Sequence, residues 1–217
     1  AERTQSYVVS DFPVPHGREE DWRFTPVDRL TDLFADRDSQ GALAIEESLP
    51  SGITSSTMSV AGWQALNGPK PGDRSAAVAA AHSGGVRVID IPANLETEEP
   101  VRISLSGNDV QPTFGHLLIR AQHHTKATVV LTHTGAAAFG QVVTVLTGDG
   151  ANLTVVTVQE WDDSAHHLAQ HDVVVGRDAT VRHIAVTLGG GIVRLNTNAT
   201  YAGPGGSFEG LGVYFAD

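Results

Sequence analysis

A motif repeated at a nearly constant interval constrains the fold of this chain more than any other feature. In each copy a turn is followed by a small residue and then a bulky apolar one, as at residues 151–153. When Ala127, Ala151, Ala179 and Ser207 are taken as markers, the steps are 24, 28 and 28 residues. A repeat of this length is typical of stacked structural units that share one core. The motif therefore predicts coils of short strands that stack on one another.

The bulky residue of each copy is predicted to face the interior of the coils. One coil alone cannot bury its apolar face, so successive coils must pack these side chains together. The predicted interior stack consists of Val129, Leu153, Val181 and Phe208, in register. Phe208 is predicted to be an interior residue of the last coil.

Apolar and polar residues alternate in many short segments after residue 85, which indicates strands. Residues 86–91 and 101–105 are the first two such segments, and a turn-rich stretch separates them. Later segments are rich in Val and Thr and follow one another without helices, which excludes a doubly wound α/β fold. The chain is therefore predicted to be mainly β, with a β-solenoid over residues 85–217 and a small α-containing region over residues 1–84.

Two helices are predicted in this N-terminal region. Thr25 suits a helix cap and Pro26 a first helical position, and Val27, Leu30 and Phe34 then fall on one face. This pattern favours an amphipathic helix that packs on the body of the protein. A second helix is predicted over residues 73–82, ended by the glycines at 84 and 85, whereas residues 35–60 are predicted to be loop or weak strand.

Charge and composition restrict the possible partners. The net charge is -11, from 14 basic and 25 acidic residues, which argues against nucleic acid or an anionic membrane surface as a partner. The chain has no Cys, so it has no disulfide and offers no thiolate to a metal. No apolar run reaches the roughly 18 residues of a membrane helix, and the sequence predicts a cytoplasmic protein.

Four stretches together resemble a known family. They are EEDWRFTPVDRL at residues 19–30, the block at 85–101, the histidine-containing segment at 164–194 and the glycine-rich stretch at 195–217. In this order they are similar to the SufB/SufD family of the Suf iron–sulfur cluster assembly machinery. The EEDWRFTP block and the absence of Cys favour the SufD branch, because the SufB branch carries the family's cluster-building cysteine.

The resemblance implies a right-handed parallel β-helix and the role of a scaffold. The implied partners are a SufB-like protein and a SufC-like ATPase, with a homodimer as another possibility, and the iron–sulfur cluster is the product of the complex rather than a cofactor of this chain. The resemblance also implies that the chain is not an enzyme. Family members continue past the position of Asp217, through the SufC-docking region and an iron-related histidine, so the chain is expected to be a piece of a longer protein.

The histidines are the candidate metal ligands, because imidazole binds iron and zinc well. Adjacent histidines on a strand point to opposite faces, and no HxH or HExxH spacing is present. They are therefore predicted to be surface or turn residues, and no catalytic, cofactor-binding or metal-binding residue is predicted. The histidines of the β region are His123, His124, His133, His166, His167, His171 and His183.

Other residues that could be taken for catalytic or phosphate-binding residues are predicted to have structural roles. The acidic pairs at 98–99 and 162–163 are predicted to be solvated turn residues, and the glycines at 189–191 are not followed by the lysine and helix of a phosphate loop. Arg194 and Asn196 are predicted to take part in turn and ladder hydrogen bonds, at the interior or at an interface.

Two other functional classes are compatible with a β-rich chain. A carbohydrate-active β-helix enzyme, lyase or hydrolase, would need a groove of carboxylates and aromatic residues, and no stacked aromatic row is evident. A cupin-type metal enzyme would need two histidines one residue apart with a nearby glutamate, which the sequence lacks.

Overall fold

The computed structural model describes residues 4–215, and about half of the chain is strand. The helices are α1 (Thr31–Phe34), α2 (Val60–Ala65) and α3 (Arg74–His82). The strands are β1 (Ala44–Ser48), β2 (Thr54–Met58), β3 (Val86–Ile91), β4 (Val101–Ala121), β5 (Lys126–Thr147), β6 (Asn152–Trp161), β7 (His166–Val175), β8 (Thr180–Thr187), β9 (Ile192–Tyr201) and β10 (Ser207–Tyr214).

Strands β3 to β10 pair in parallel and form a β-solenoid of about five turns, as the sequence predicts. The long strands β4 and β5 bend, so each contributes to two walls of the solenoid. Wall 1 contains β1, residues 101–108 and 126–135, β6, β8 and β10. Wall 2 contains β2, β3, residues 112–121 and 138–147, β7 and β9.

The predicted interior register is right for three of its four residues. Leu153, Val181 and Phe208 are paired in successive coils of wall 1. The predicted place of Val129 is wrong, because Ala127 is the residue that pairs with Leu153, so the coil step is 26 residues and not 24. Val129 still faces the interior and is fully buried, since a shift of two residues keeps a strand side chain on the same face.

Phe208 is less enclosed than predicted. Its side chain is only partly buried, although it packs against the interior core. Among the described residues, β8 is the one strand that pairs with β10, so the ring has a neighbouring coil on one side. Its contribution to stability is therefore smaller than that of a fully enclosed ring.

One corner of the solenoid is a stack of left-handed residues. His124 at this corner has a φ of 54°, and its amide N–H donates to the carbonyl of Asp149 in the next coil at 2.9 Å. Equivalent bonds join the other coils, so the corner is a hydrogen-bonded ladder. The left-handed residues are Asn94, His124, Gly150, Asp178 and Gly205.

The helix predicted over residues 73–82 is confirmed as α3. The Asp73 side chain accepts a hydrogen bond from the amide of Ala76 at 2.9 Å, and Gly84 follows the helix with a φ of 70°. Four of its alanines, Ala76, Ala77, Ala79 and Ala80, are buried against the outer side of wall 2, in one apolar cluster with Phe114 and Val142. Wall 2 is therefore covered by protein on both sides.

The prediction of a helix that begins at Thr25 and Pro26 is wrong about the backbone conformation, but it identifies correctly which residues pack on the body of the protein. The chain makes a 3-10 turn at Val27–Arg29 and then the four-residue α1, and neither has a side-chain cap. Leu30 and Phe34 are nonetheless buried, next to α3. So short a segment gains little from helix formation itself, and tertiary packing decides its backbone.

Residues 44–58, within the stretch predicted to be loop or weak strand, provide two strands. Strand β1 pairs antiparallel with β4 and strand β2 pairs antiparallel with β3. The N-terminal region thus adds one antiparallel strand to each wall. None of the helices formed by residues 4–215 has the length and apolar character that crossing a membrane requires.

Candidate functional site

A row of polar side chains lies inside the solenoid among the apolar ones. All of them occupy inward-facing strand positions, and each is at most 2% exposed. They come from three successive coils, so the polar region runs along the solenoid rather than around one turn. Its members are His133, Gln141, Thr157, Gln159, His167, His171 and His183.

Four of the interior side chains form a continuous hydrogen-bonded path, which we call the imidazole chain. Trp161 Nε1 donates to His167 Nδ1 at 3.2 Å, and His167 Nε2 lies 3.1 Å from Gln141 Oε1. His133 Nε2 lies 3.2 Å from the same Oε1, and its Nδ1 lies 3.2 Å from the carbonyl oxygen of Val158. The path therefore joins β6, β7 and both halves of β5.

Two further histidines form what we call the imidazole pair. His171 Nδ1 on wall 2 and His183 Nε2 on wall 1 are 2.9 Å apart across the interior, and the rings are edge to face. His171 Nε2 is buried without a hydrogen-bond partner in the described part of the chain. The pair leaves one polar atom unsatisfied, which is uncommon in a protein core.

The interior imidazoles are neutral at pH 7. Burial lowers the pKa of His133 and of His183 to about 4. Burial and then the neighbouring imidazoles lower the pKa of His167 and of His171 well below the ordinary value. A neutral imidazole can donate through one ring nitrogen and accept through the other, so hydrogen bonding, not charge, holds these residues together.

The prediction that the histidines lie at the surface or in turns is wrong for four of them. His133, His167, His171 and His183 point inward because each shares a face with apolar neighbours on its own strand. The prediction holds for His123 and His124, which lie exposed at the corner of the solenoid. His166 points outward from wall 2, opposite to His167, and its Nε2 lies 3.5 Å from Arg29.

A cavity of about 610 Å³ lies at the N-terminal end of the solenoid. The residues that line it include the apolar Leu105, Leu117 and Phe139 and the polar His116 and Gln141. His116 Nδ1 is buried and has no hydrogen-bond partner among residues 4–215. Because Gln141 also belongs to the imidazole chain, the cavity borders that chain directly.

The geometry offers little to a metal ion. Within residues 4–215, no three His, Asp or Glu side chains are grouped so that they could hold one. The nitrogens of the imidazole chain are already engaged with an indole, an amide and a carbonyl. The arrangement suits proton and hydrogen-bond exchange better than metal coordination.

The remaining residues considered from the sequence lie in turns or in contacts between the N-terminal region and the solenoid. The acidic residues at 98–99 and 162–163 are exposed in turns, and Gly190 in the turn before β9 has a φ of 109°. Arg194 lies on the outer side of wall 2, with its guanidinium 4.0 Å from the centre of the Trp22 ring. Asn196 lies beside it, 3.5 Å from Asp73. Both therefore fasten the N-terminal region to the solenoid.

Sequence reasoning missed Gln141, Gln159 and Trp161 as interior polar residues. A signal for them was present, because Gln159 follows Leu153 by an even number of positions on the same strand and must share its face. Which polar side chains meet across the two walls depends on how the chain bends at the corners. The spacing of residues in the sequence does not specify these bends.

Residues 103–217 match the family model described as SUF system FeS cluster assembly, SufBD core domain. The match begins in β4 and includes every residue of the imidazole chain and of the imidazole pair. No solved structure matches the chain.

Two mycobacterial proteins, both described as iron–sulfur cluster assembly SufBD family proteins, are similar to nearly the whole chain. The protein of Mycobacterium leprae is 37% identical over 214 residues, which cover 98% of this chain and 55% of that protein. The protein of Mycobacterium tuberculosis H37Rv is 35% identical over 214 residues, which cover 98% of this chain and 54% of that protein. The chain thus spans about half the length of the curated relatives it matches.

Proposed function

The chain belongs to the SufBD family of iron–sulfur cluster assembly proteins, and on this premise we propose that it is a scaffold subunit of a SufBCD-type complex. Its partners in that complex are a SufB-like protein and a SufC-like ATPase. The iron–sulfur cluster is the product of the complex and not a cofactor resident in this chain. We place this role in the cytoplasm and assign the chain no catalytic reaction of its own.

The match of the SufBD core-domain model to residues 103–217 carries this proposal. These residues form most of the solenoid, so the likeness extends over a folded body rather than a short motif. The two alternatives, a carbohydrate-active enzyme and a cupin-type enzyme, are not favoured, because the similar proteins are described as cluster assembly proteins.

The fold suits a scaffold because its core is continuous from coil to coil. One buried apolar cluster extends from Ile53 to Val181 along the solenoid. Each coil is stabilised by its neighbours, so the surface strands keep a fixed register over the length of the body. A partner can therefore bind across several coils at once.

The outer face of wall 1 is the surface that we propose for partner contact. Val130, Val156, Ile184 and Leu211 form a straight row on four paired strands. Leu211 is 47% exposed and the other three are partly exposed. The helices α1 and α3 pack on wall 2 instead. A continuous apolar row on an open sheet face is typical of an interaction surface.

We expect the purified 217-residue chain to form a complex with the SufB-like protein of the same organism, as measured by size-exclusion chromatography with light scattering. Ile184→Glu is expected to weaken the complex about tenfold or more, because it buries an unpaired charge in the apolar row. Thr180→Glu is the matched control, since Thr180 is exposed on the same strand but lies outside the row.

The possible outcomes test the scaffold role and the proposed contact surface separately. Failure of the unsubstituted chain to bind the SufB-like protein contradicts the scaffold role. Equal binding by the wild type and by both variants contradicts the outer face of wall 1 as the contact surface. A dimer of this chain that excludes the SufB-like protein would mean that a second copy takes the SufB-like position.

A further inference from the structure

The two ends of the imidazole chain fix the tautomers of its histidines. The indole of Trp161 can only donate, so Nδ1 of His167 accepts and the hydrogen of this neutral ring is on Nε2. The carbonyl of Val158 can only accept, so Nδ1 of His133 donates and Nε2 of this neutral ring carries a lone pair.

These tautomers conflict at Gln141. The N–H at Nε2 of His167 donates to Oε1 of Gln141 at 3.1 Å. The lone pair at Nε2 of His133 faces the same oxygen at 3.2 Å, so two acceptors meet. Turning the amide over only moves the conflict, because the amide N–H of Gln141 would then face the N–H of His167. The neutral imidazole chain is therefore mismatched in either orientation, with two acceptors opposed at His133 in one and two N–H groups opposed at His167 in the other.

One added proton completes the hydrogen bonding of the imidazole chain. With a hydrogen on Nε2, His133 donates to Gln141 through one nitrogen and to the Val158 carbonyl through the other. The bond from Trp161 to His167 and the bond from His167 to Gln141 are unchanged. We propose that His133 is a proton-binding site inside the solenoid, at which the native protein takes up one proton between His133 and Gln141.

The other interior histidines lack this arrangement. Protonation of His167 at Nδ1 would place its new hydrogen against the N–H of Trp161. His171 and His183 share one hydrogen bond, and Nε2 of His171 has no acceptor among the described residues. The ring of His183 also bonds to its own backbone, so both of its nitrogens are already engaged. A proton at these sites would gain no hydrogen bond, whereas a proton at His133 gains one.

Within residues 4–215, no carboxylate is among the groups that act on His133 to balance the charge it acquires. The titratable group nearest to it is His167 on β7, with ring centres 4.9 Å apart, and His171 lies on the same strand. Burial lowers the pKa of His133 to about 4, while the bonds to Val158 and Gln141 act in the opposite direction. Proton uptake therefore belongs to the acidic side of neutrality. Phe139, Gln141, Val158 and Trp161 also contact His133, and Leu105 and Gln159 are its register neighbours on the adjacent strands.

The proton has a path from solvent. Gln141 lines the cavity at the N-terminal end of the solenoid, and its Oε1 is the atom that both imidazoles contact. Its amide nitrogen is thereby left for the cavity side. Solvent in the cavity is thus separated from His133 by a single side chain, and exchange does not require the coils to separate.

The test is NMR of the 217-residue chain labelled with ¹⁵N in its histidine rings, with sucrose added to favour the native state. As the pH is lowered from 7, Nε2 of His133 is expected to be the first interior ring nitrogen to gain a hydrogen while the native spectrum persists. Gln141→Leu is expected to lower the proton affinity of His133 about tenfold, or one pH unit. Gln159→Leu is the matched control, because Gln159 pairs with His133 in register but bonds to Thr157 and Thr187.

A second variant tests the tautomer argument at pH 7. Trp161→Phe removes the fixed donor, so His167 is free to carry its hydrogen on Nδ1, and a turned Gln141 amide then donates to both imidazoles. We expect the hydrogen of His167 to move from Nε2 to Nδ1. An unchanged His167 tautomer overturns the proposal. So does proton uptake that begins at His167, His171 or His183, or a His133 titration that is the same in Gln141→Leu as in the wild type.

Discussion

Acidification from pH 7 to about 4.5 is expected to destabilise this protein strongly, because its buried histidines take up protons far more readily in the unfolded chain. Burial lowers the pKa of three of them from 6.5 to about 4, and lowers the pKa of the other two well below 6.5. The first three are His116, His133 and His183, and the other two are His167 and His171.

The sign of the effect follows from these directions. Below pH 6.5 the unfolded state binds more protons than the native state, so stability is complete above pH 6.5 and is lost as the pH falls toward 4. At about 1.4 kcal/mol for each group and pH unit, the three histidines with a pKa near 4 together account for about 10 kcal/mol. This is comparable with the roughly 5–15 kcal/mol of stability of a typical domain.

Urea denaturation at a series of pH values, followed by circular dichroism, measures this loss. His116→Gln is expected to reduce the number of protons taken up on unfolding by about one, because it removes one buried imidazole. His123→Gln is the matched control, since His123 is exposed at the corner. A denaturation midpoint at pH 4.5 that equals the one at pH 7 would contradict the burial of these histidines.

His82 acts in the opposite direction. Burial lowers its pKa, but hydrogen bonds from the ring to Asp36 and Asp38 outweigh burial and raise it overall. The stability from His82 is present below pH 6.5 and is lost as the pH rises through its native pKa. The two carboxylates are well exposed, so this contribution is small beside that of the buried histidines.

Phe139→Ala is expected to cost about 3–5 kcal/mol of the free energy of unfolding, because it removes a buried ring from the interior of the solenoid. The ring is 2% exposed and stacks on His167 with centres 5.3 Å apart. It also packs edge to face against Trp161 at 6.4 Å. Chemical denaturation of the variant and the wild type at pH 7 gives the difference.

Phe208→Ala is the comparison, because it removes the same atoms from a partly buried site. We expect it to cost roughly half as much as Phe139→Ala, since less apolar surface is returned to water. Equal costs would show that β10 encloses Phe208 as completely as the sequence predicts. A cost below about 1 kcal/mol for Phe139→Ala would contradict the stacking of the coils around it.

The solenoid was predictable because a small residue and a bulky apolar residue recur at each coil. Its register was not fully predictable. At the corner before β5, the position equivalent to Ala151 is taken by Thr125, which is buried and bonds to the carbonyl of Gln122 at 3.0 Å. A hydroxyl that satisfies the backbone replaces the small residue there. Ala127 consequently resembles the marker while lying two residues further along the coil.

The interior polar residues were predictable only in part. The alternation that buries Val129 and Leu131 also buries His133, so the facing direction of this histidine follows from its strand position. Its contact with Gln141 does not follow, since the two residues lie on different walls and meet because β5 bends between them. Adjacency in such a fold depends on corner geometry, which one sequence does not specify.

Anaerobic iron–sulfur reconstitution, followed by visible absorption and iron analysis, tests the scaffold role most directly. The SufB-like and SufC-like proteins are expected to acquire more cluster with this chain than without it. The 217-residue chain alone has no Cys and is expected to acquire none. A stoichiometric cluster on the chain alone, or equal cluster content in the partners with and without it, would contradict the proposed scaffold role.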